Sequence, residues 1–180
     1  MAKEGGRRSI PTEPTPTKIP RQLCARAVRR IFVAALGLFL ALGALGFYGV
    51  RTTTSSATGS GYELEVRYAS VSRPGLATPW SFEVRRQGGF PDGLTVAVTS
   101  SYFDAFDENG LGPAPVEETT DGKRTIWRFG PSVGDVLAVS FDARIEPGVQ
   151  LTRLGGQVEV LDGATGPSAV TVAFRTWVMP

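Results

Sequence analysis

The sequence predicts an all-β domain of seven or eight antiparallel strands, preceded by one transmembrane helix. Three observations predict it. Ile31 to Val50 is an uncharged run, IFVAALGLFLALGALGFYGV. From Gly61 onward apolar residues recur with period two, the spacing of strands rather than helices. The turn formers Gly and Pro, 22 and 13 of the 180 residues, gather between those alternating stretches.

The run 31–50 comes first. Twenty helical residues span about 30 Å, the thickness of a bilayer hydrocarbon core. Its single polar side chain, Tyr48, sits near one end, where an aromatic hydroxyl suits the water interface. Arg26, Arg29 and Arg30 abut the run on its amino side, and only Arg51 abuts the other. Positive flanks stay on the cytoplasmic side, so the expected placement is single-pass in the cell membrane, with the C-terminal domain extracytoplasmic. A secretory signal has a shorter apolar region, about 7–15 residues, which favours an uncleaved signal anchor. Ser55 and Ala57 do carry the small-residue spacing of a cleavage site. Cys24 precedes the run, where a lipoprotein cysteine would follow it.

Charge divides the chain further. Residues 1–30 hold eight Lys/Arg against Glu4 and Glu13, whereas residues 52–180 hold ten against fifteen Asp/Glu. A basic tail on an acidic domain argues against nucleic acid as a partner. Residues 1–30 are expected to be a disordered cytoplasmic tail, with Pro11, Pro14, Pro16 and Pro20 in a Thr-rich stretch that has little to bury. Residues 51–60, containing TTTSSATGS, are expected to be a polar linker reaching roughly 18 Å.

In residues 61–180, Tyr62, Leu64, Val66 and Tyr68 alternate with charged residues, as do Trp80, Phe82 and Val84 with Ser81, Glu83 and Arg85. Leu94, Val96 and Val98 repeat the pattern. A hairpin is expected from Val116 to Phe129 around Asp121-Gly122, a pair that tolerates the positive φ angles of a type I′ turn. The longest alternation runs from Leu137 to Ile145, followed by Val158 with Val160, and by Val170 to Val178. Gly155-Gly156 reads as a turn between strands. This many short strands, without a helical period, fit an immunoglobulin-like β-sandwich of 7–8 antiparallel strands. A closed eight-stranded barrel has the same periodicity.

The chemistry is narrowed by what the chain lacks. There is no histidine and one cysteine. That excludes Cys/His zinc sites, Ser-His-Asp and Cys-His nucleophile systems, and a disulfide within the chain. No Gly-rich phosphate loop opens a helix, and Glu117 and Glu118, being adjacent, would point to opposite faces of a strand. The expectation is a protein that is not an enzyme and carries no cofactor or metal.

Contact surfaces are the remaining candidates. Ser100 to Gly112, SSYFDAFDENGLG, interleaves Tyr102, Phe103 and Phe106 with Asp104, Asp107 and Glu108, as a partner-contact loop would. It fails the EF-hand pattern, because aligning Asp107, Asn109 and Gly110 puts Ala105 and Val116 at the end ligand positions. The alternative is a turn whose aromatics cap the core. Alternation places Trp80 and Trp127 inward, while Trp177 shares a face with Thr171, Ala173 and Arg175 and is a candidate surface contact. Within the apolar run, Ala34, Gly37, Ala41 and Ala44 form a stripe of small residues that would admit a second helix.

The stretches YASVSRPGLATPWSFEV, YFDAFDENGL and EPGVQLTRLGGQVEVLDG with VAFRTWVMP resemble uncharacterised small membrane proteins of high-GC actinobacteria, across most of residues 62–180. That resemblance implies a source and a location, and no activity. The expected function is a membrane-anchored accessory module, non-catalytic, with the lipid bilayer and another membrane or envelope protein as partners. A cell-wall carbohydrate-binding domain is the alternative.

Overall fold

A computed structural model describes residues 21–46, 49–163 and 166–180, without the side chains of residues 21–24, 108 and 109. Tyr48 and the prolines at 11–20 lie outside those residues, as do the side chains of Cys24 and Glu108. The chain separates into two units, Met1–Tyr48 and Gly49–Pro180.

The first unit contains one helix, α1 (Arg21–Ala44). Its segment Ala25–Ala44, 20 residues, is apolar and long enough to cross a membrane, and none of it is buried. The helix was expected over 31–50 and is displaced toward the amino end. Gly46 adopts φ 72, and its N–H bonds back to the Gly43 carbonyl at 3.0 Å, which ends the helix as a left-handed glycine does. Residues 21–30 are therefore helical rather than a disordered tail. The long stems of Arg26, Arg29 and Arg30 can carry their charges toward an interface.

The second unit holds ten strands and one helical turn: β1 (Arg51–Gly59), β2 (Tyr62–Ser72), β3 (Trp80–Arg85), β4 (Leu94–Thr99), α2 (Ser100–Phe103), β5 (Phe106–Gly112), β6 (Glu117–Thr120), β7 (Arg124–Phe129), β8 (Val136–Ile145), β9 (Thr152–Leu161) and β10 (Ser168–Val178). They form one sheet in the order β5-β8-β3-β2-β10-β9-β4-β7-β6, with β1 paired to β2. Every pairing is antiparallel except β2 with β10, which meet in parallel through Val71–Trp177 and Ser72–Val178. The result is a mixed sheet curled into a half-barrel. Two five-stranded arcs join at that short parallel contact.

Residues 51–59 are a strand, not a linker. They lack apolar alternation, but Thr and Ser at an edge can hydrogen-bond as well as any residue, and Thr favours strand geometry. Register is set by the turn: Gly59 pairs with Tyr62 around Ser60 (φ 49) and Gly61 (φ 81), the two consecutive positive φ angles of a type I′ hairpin. The Asp121 hairpin forms as expected between β6 and β7, with its centre moved by one residue. Gly122 alone takes positive φ there, and Asp121 instead accepts backbone bonds from Lys123 (3.0 Å) and Arg124 (2.7 Å) through Oδ1.

The core fills the hollow of the curl. Leu64, Val66, Phe82, Val84, Val139 and Ile145 from one arc face Val96, Val98, Val158, Val160, Val172 and Phe174 from the other. Between them lies an aromatic cluster centred on Trp80, whose ring is 5.0 Å from Phe103, 5.9 Å from Phe174 and 6.3 Å from Trp127. Gly155 and Gly156 lie inside β9 rather than in a turn. A Cβ on Gly156 would come within 2.7 Å of the Phe174 ring, so the missing side chain makes room for that aromatic.

Candidate functional site

The strand registers sort the loops into two poles. One pole carries Arg51, where the chain enters the domain, with residues 73–79, α2, the Asp121 turn and residues 146–151. The other carries the Ser60–Gly61 turn with residues 86–93, 130–135 and 162–167.

At the Ser60–Gly61 pole an open groove of about 640 Å³ runs between the β1–β2 hairpin, the end of β3 and the start of β8. Tyr62 and Arg86 build its wall. Arg86 follows the last residue of β3, and its N–H is held by the Asp135 carbonyl at 2.9 Å. That bond aims the side chain back over β2, where the guanidinium lies 5.0 Å from the Tyr62 ring centre and donates to its hydroxyl at 2.9 Å. Asp135 is fixed in turn, accepting from the Gly88 N–H through Oδ1 at 3.1 Å. The floor and rim add Thr58, Glu63, Arg85 and Gln87. On the other side of the same Tyr62–Arg86 wall lies a second, polar hollow of about 270 Å³, lined by Asp92, Arg128 and Asp162 among others. Donors and acceptors of both signs around one cation-covered aromatic suit a polar, hydroxyl-rich or peptide-like ligand. Among the described residues no group of three or more Cys, Asp or Glu side chains could hold a metal ion.

Periodicity could not single out this groove. Tyr62 was legible as an inward strand residue, but its wall role depends on Arg86, whose position comes from the 86–90 turn.

The residues singled out in the sequence are placed differently. Tyr102, Phe103 and Phe106 are core residues, exposed by only 1%, 6% and 5%, so the rings cap the core, as the alternative reading of this segment has it, and do not form a contact surface. The segment forms α2 and then β5, and hydrophobic burial draws all three rings inward. Tyr102 packs edge-on against Phe174 at 4.7 Å, and Phe103 against Phe141 at 5.1 Å. Asp104 and Asp107 stay on the surface, with Asp107 opposite Arg144 in the β5–β8 ladder. Glu108 continues β5 opposite Ala143. Trp80 and Trp127 are buried, as alternation predicts, and Trp177 is 45% exposed. Ala34, Gly37, Ala41 and Ala44 lie along α1, all exposed.

No family model matches the chain, and none of the curated proteins does. Among the solved structures to which the chain is similar is that of AvmM, which catalyzes macrocyclization in alchivemycin A biosynthesis; it aligns with a TM-score of 0.36 at 10% identity, over 73% of this chain and 89% of that one.

Proposed function

We propose that this protein is a single-pass membrane protein whose β-domain serves as a non-catalytic binding or structural accessory module on the extracytoplasmic side. One observation carries the membrane part: the 20 apolar-rich residues Ala25–Ala44 form a helix with no buried face. In water such a helix would leave each of its large apolar side chains hydrated, at about 1.5–3 kcal/mol apiece, and lipid removes that penalty. Arg26, Arg29 and Arg30 against the lone Arg51 favour the amino end inside, and the 20 uncharged residues 31–50, more than the apolar region of a secretory signal holds, favour an uncleaved signal anchor. The resemblance to actinobacterial membrane proteins supports the same placement. The two facing arcs with a shared aromatic core support an immunoglobulin-like, sandwich-type description of the domain.

The groove beside Tyr62 and Arg86 is the surface through which the module meets a polar partner in the membrane or envelope. A cell-wall carbohydrate is the second reading, favoured by the mixed donors and acceptors of that lining. Carbonate-washed membranes should retain the full-length chain, and protease added outside intact cells should reach the β-domain. A full-length chain that dissolves as a monomer in detergent-free buffer defeats the membrane assignment. Binding of residues 49–180 to purified wall polymer, lost in Arg86→Ala, selects the carbohydrate reading, and absence of binding at millimolar sugar retires it.

A further inference from the structure

The pole at which the chain enters the β-domain carries three exposed apolar side chains that the core does not use. Trp177 is 45% exposed, Leu151 72% and Leu76 42%. They belong to three separate segments, and the parallel β2–β10 junction gathers those segments. Trp177 pairs with Val71, the Met179 N–H bonds the Ser72 carbonyl at 2.9 Å, and Val178 pairs with Thr152, the residue after Leu151. Leu76 follows Ser72 by four residues, in a turn tied to the end of β8 by the Gly75 N–H to Ile145 carbonyl bond at 2.8 Å.

Two further facts define what this surface fits. Leu151 holds φ 51, a left-handed conformation that an L side chain adopts only against steric strain, and its apolar group faces water. Cations surround Trp177: Arg153 is its cross-strand partner and Arg175 precedes it on the same outer face. Arg175 faces Gly155, and neither arginine joins an ion pair among the described residues. Glu146 is the acid of the adjoining loop.

We propose that this pole docks on an anionic lipid surface, with Trp177 and Leu151 entering the headgroup layer and Arg153 and Arg175 pairing with lipid phosphates. Indole rings prefer that layer, and cations near a negatively charged leaflet gain about 1 kcal/mol each, roughly fivefold in binding. The inference rests on reading α1 as a membrane span, because that reading brings this pole's entry residue to a bilayer.

The test uses residues 49–180, whose core residues all come from 64–178 and which therefore carries its own interior. Vesicles of equal parts phosphatidylglycerol and phosphatidylcholine should co-sediment the fragment, and phosphatidylcholine alone should not. Acrylamide should quench Trp177 less once the vesicles are present. Arg153→Glu should weaken binding by fivefold or more, and Trp177→Ala likewise. Leu151→Gly is the informative variant: it relieves the positive φ, so thermal stability holds or rises while lipid binding falls. Val133→Ser removes an exposed apolar side chain at the opposite pole and should change nothing. Equal sedimentation with both vesicle types, no sedimentation, or unaltered binding of Leu151→Gly overturns the proposal. The span assignment is tested separately by the solubility of the full-length chain.

Discussion

Tyr102 gives its phenolic proton to Thr176 Oγ1 across 2.9 Å, in the interior of the half-barrel. The direction follows from the next bond. Thr176 has one hydroxyl proton and spends it on the Ala69 carbonyl at 2.6 Å, so its oxygen is left to accept. This relay ties α2 to β10 and β2 at the pole where the two arcs join.

Burial pushes the Tyr102 hydroxyl up to about 12, from 10.0. Between those values the unfolded chain releases a proton that the folded protein keeps. Stability therefore falls as pH rises through that window, by roughly 2–3 kcal/mol in all. Urea unfolding across the alkaline range should show the decline, and Tyr102→Phe should flatten it. At neutral pH the same substitution should cost about 1–2 kcal/mol, since the Thr176 oxygen loses its donor.

Gly156→Ala should destabilise the domain by about 1–3 kcal/mol, because its Cβ would meet the Phe174 ring, which Tyr102, Tyr68 and Trp80 already enclose. Gly155→Ala, with its nearest contact at 4.0 Å, is the matched control. Thermal melts of the pair separate a packing role from a turn role.

The backbone N–H groups of Lys123 and Arg124, and then the Arg124 side chain, hold the Asp121 carboxyl below its ordinary value of 3.8. Stability from that ionised form is present above the unfolded pKa and lost as pH falls through the folded one. The midpoint gap between the protein and Asp121→Ala should therefore close on acidification below about pH 4. A gap that persists in acid would mean that the hairpin owes nothing to the charge.

A fragment starting at Gly61 should behave worse than one starting at Gly49. Deleting β1 strips one of the three partners of β2 and leaves the backbone it covered over Tyr62–Val71 as a template for intermolecular pairing. Sedimentation should find the shorter fragment associated and the longer one monomeric. Equal behaviour would mean that 51–59 contributes no pairing.

Strand alternation was enough to locate eight of the ten strands and to send Trp80 and Trp127 inside. It failed where period two gives no signal. β1 is polar apart from Ala57 and Gly59, and its register follows from the Ser60–Gly61 turn rather than from an apolar alternation. β5 begins in an acidic, aromatic segment whose rings could serve a surface or a core equally well until neighbouring strands are in place. Curl was invisible for a similar reason: the junction consists of two residue pairs between segments about a hundred positions apart, and no local pattern encodes it. The groove wall needs Arg86 folded back over Tyr62, a tertiary fact.

The pairing of β1 has a mechanical consequence. A tension entering through Arg51 along the strand axis is met in shear by nine rungs together, from Arg51–Val71 to Gly59–Tyr62. A sideways pull would open those rungs one after another. The same segment is therefore a stiff mount along its own axis and a compliant one across it.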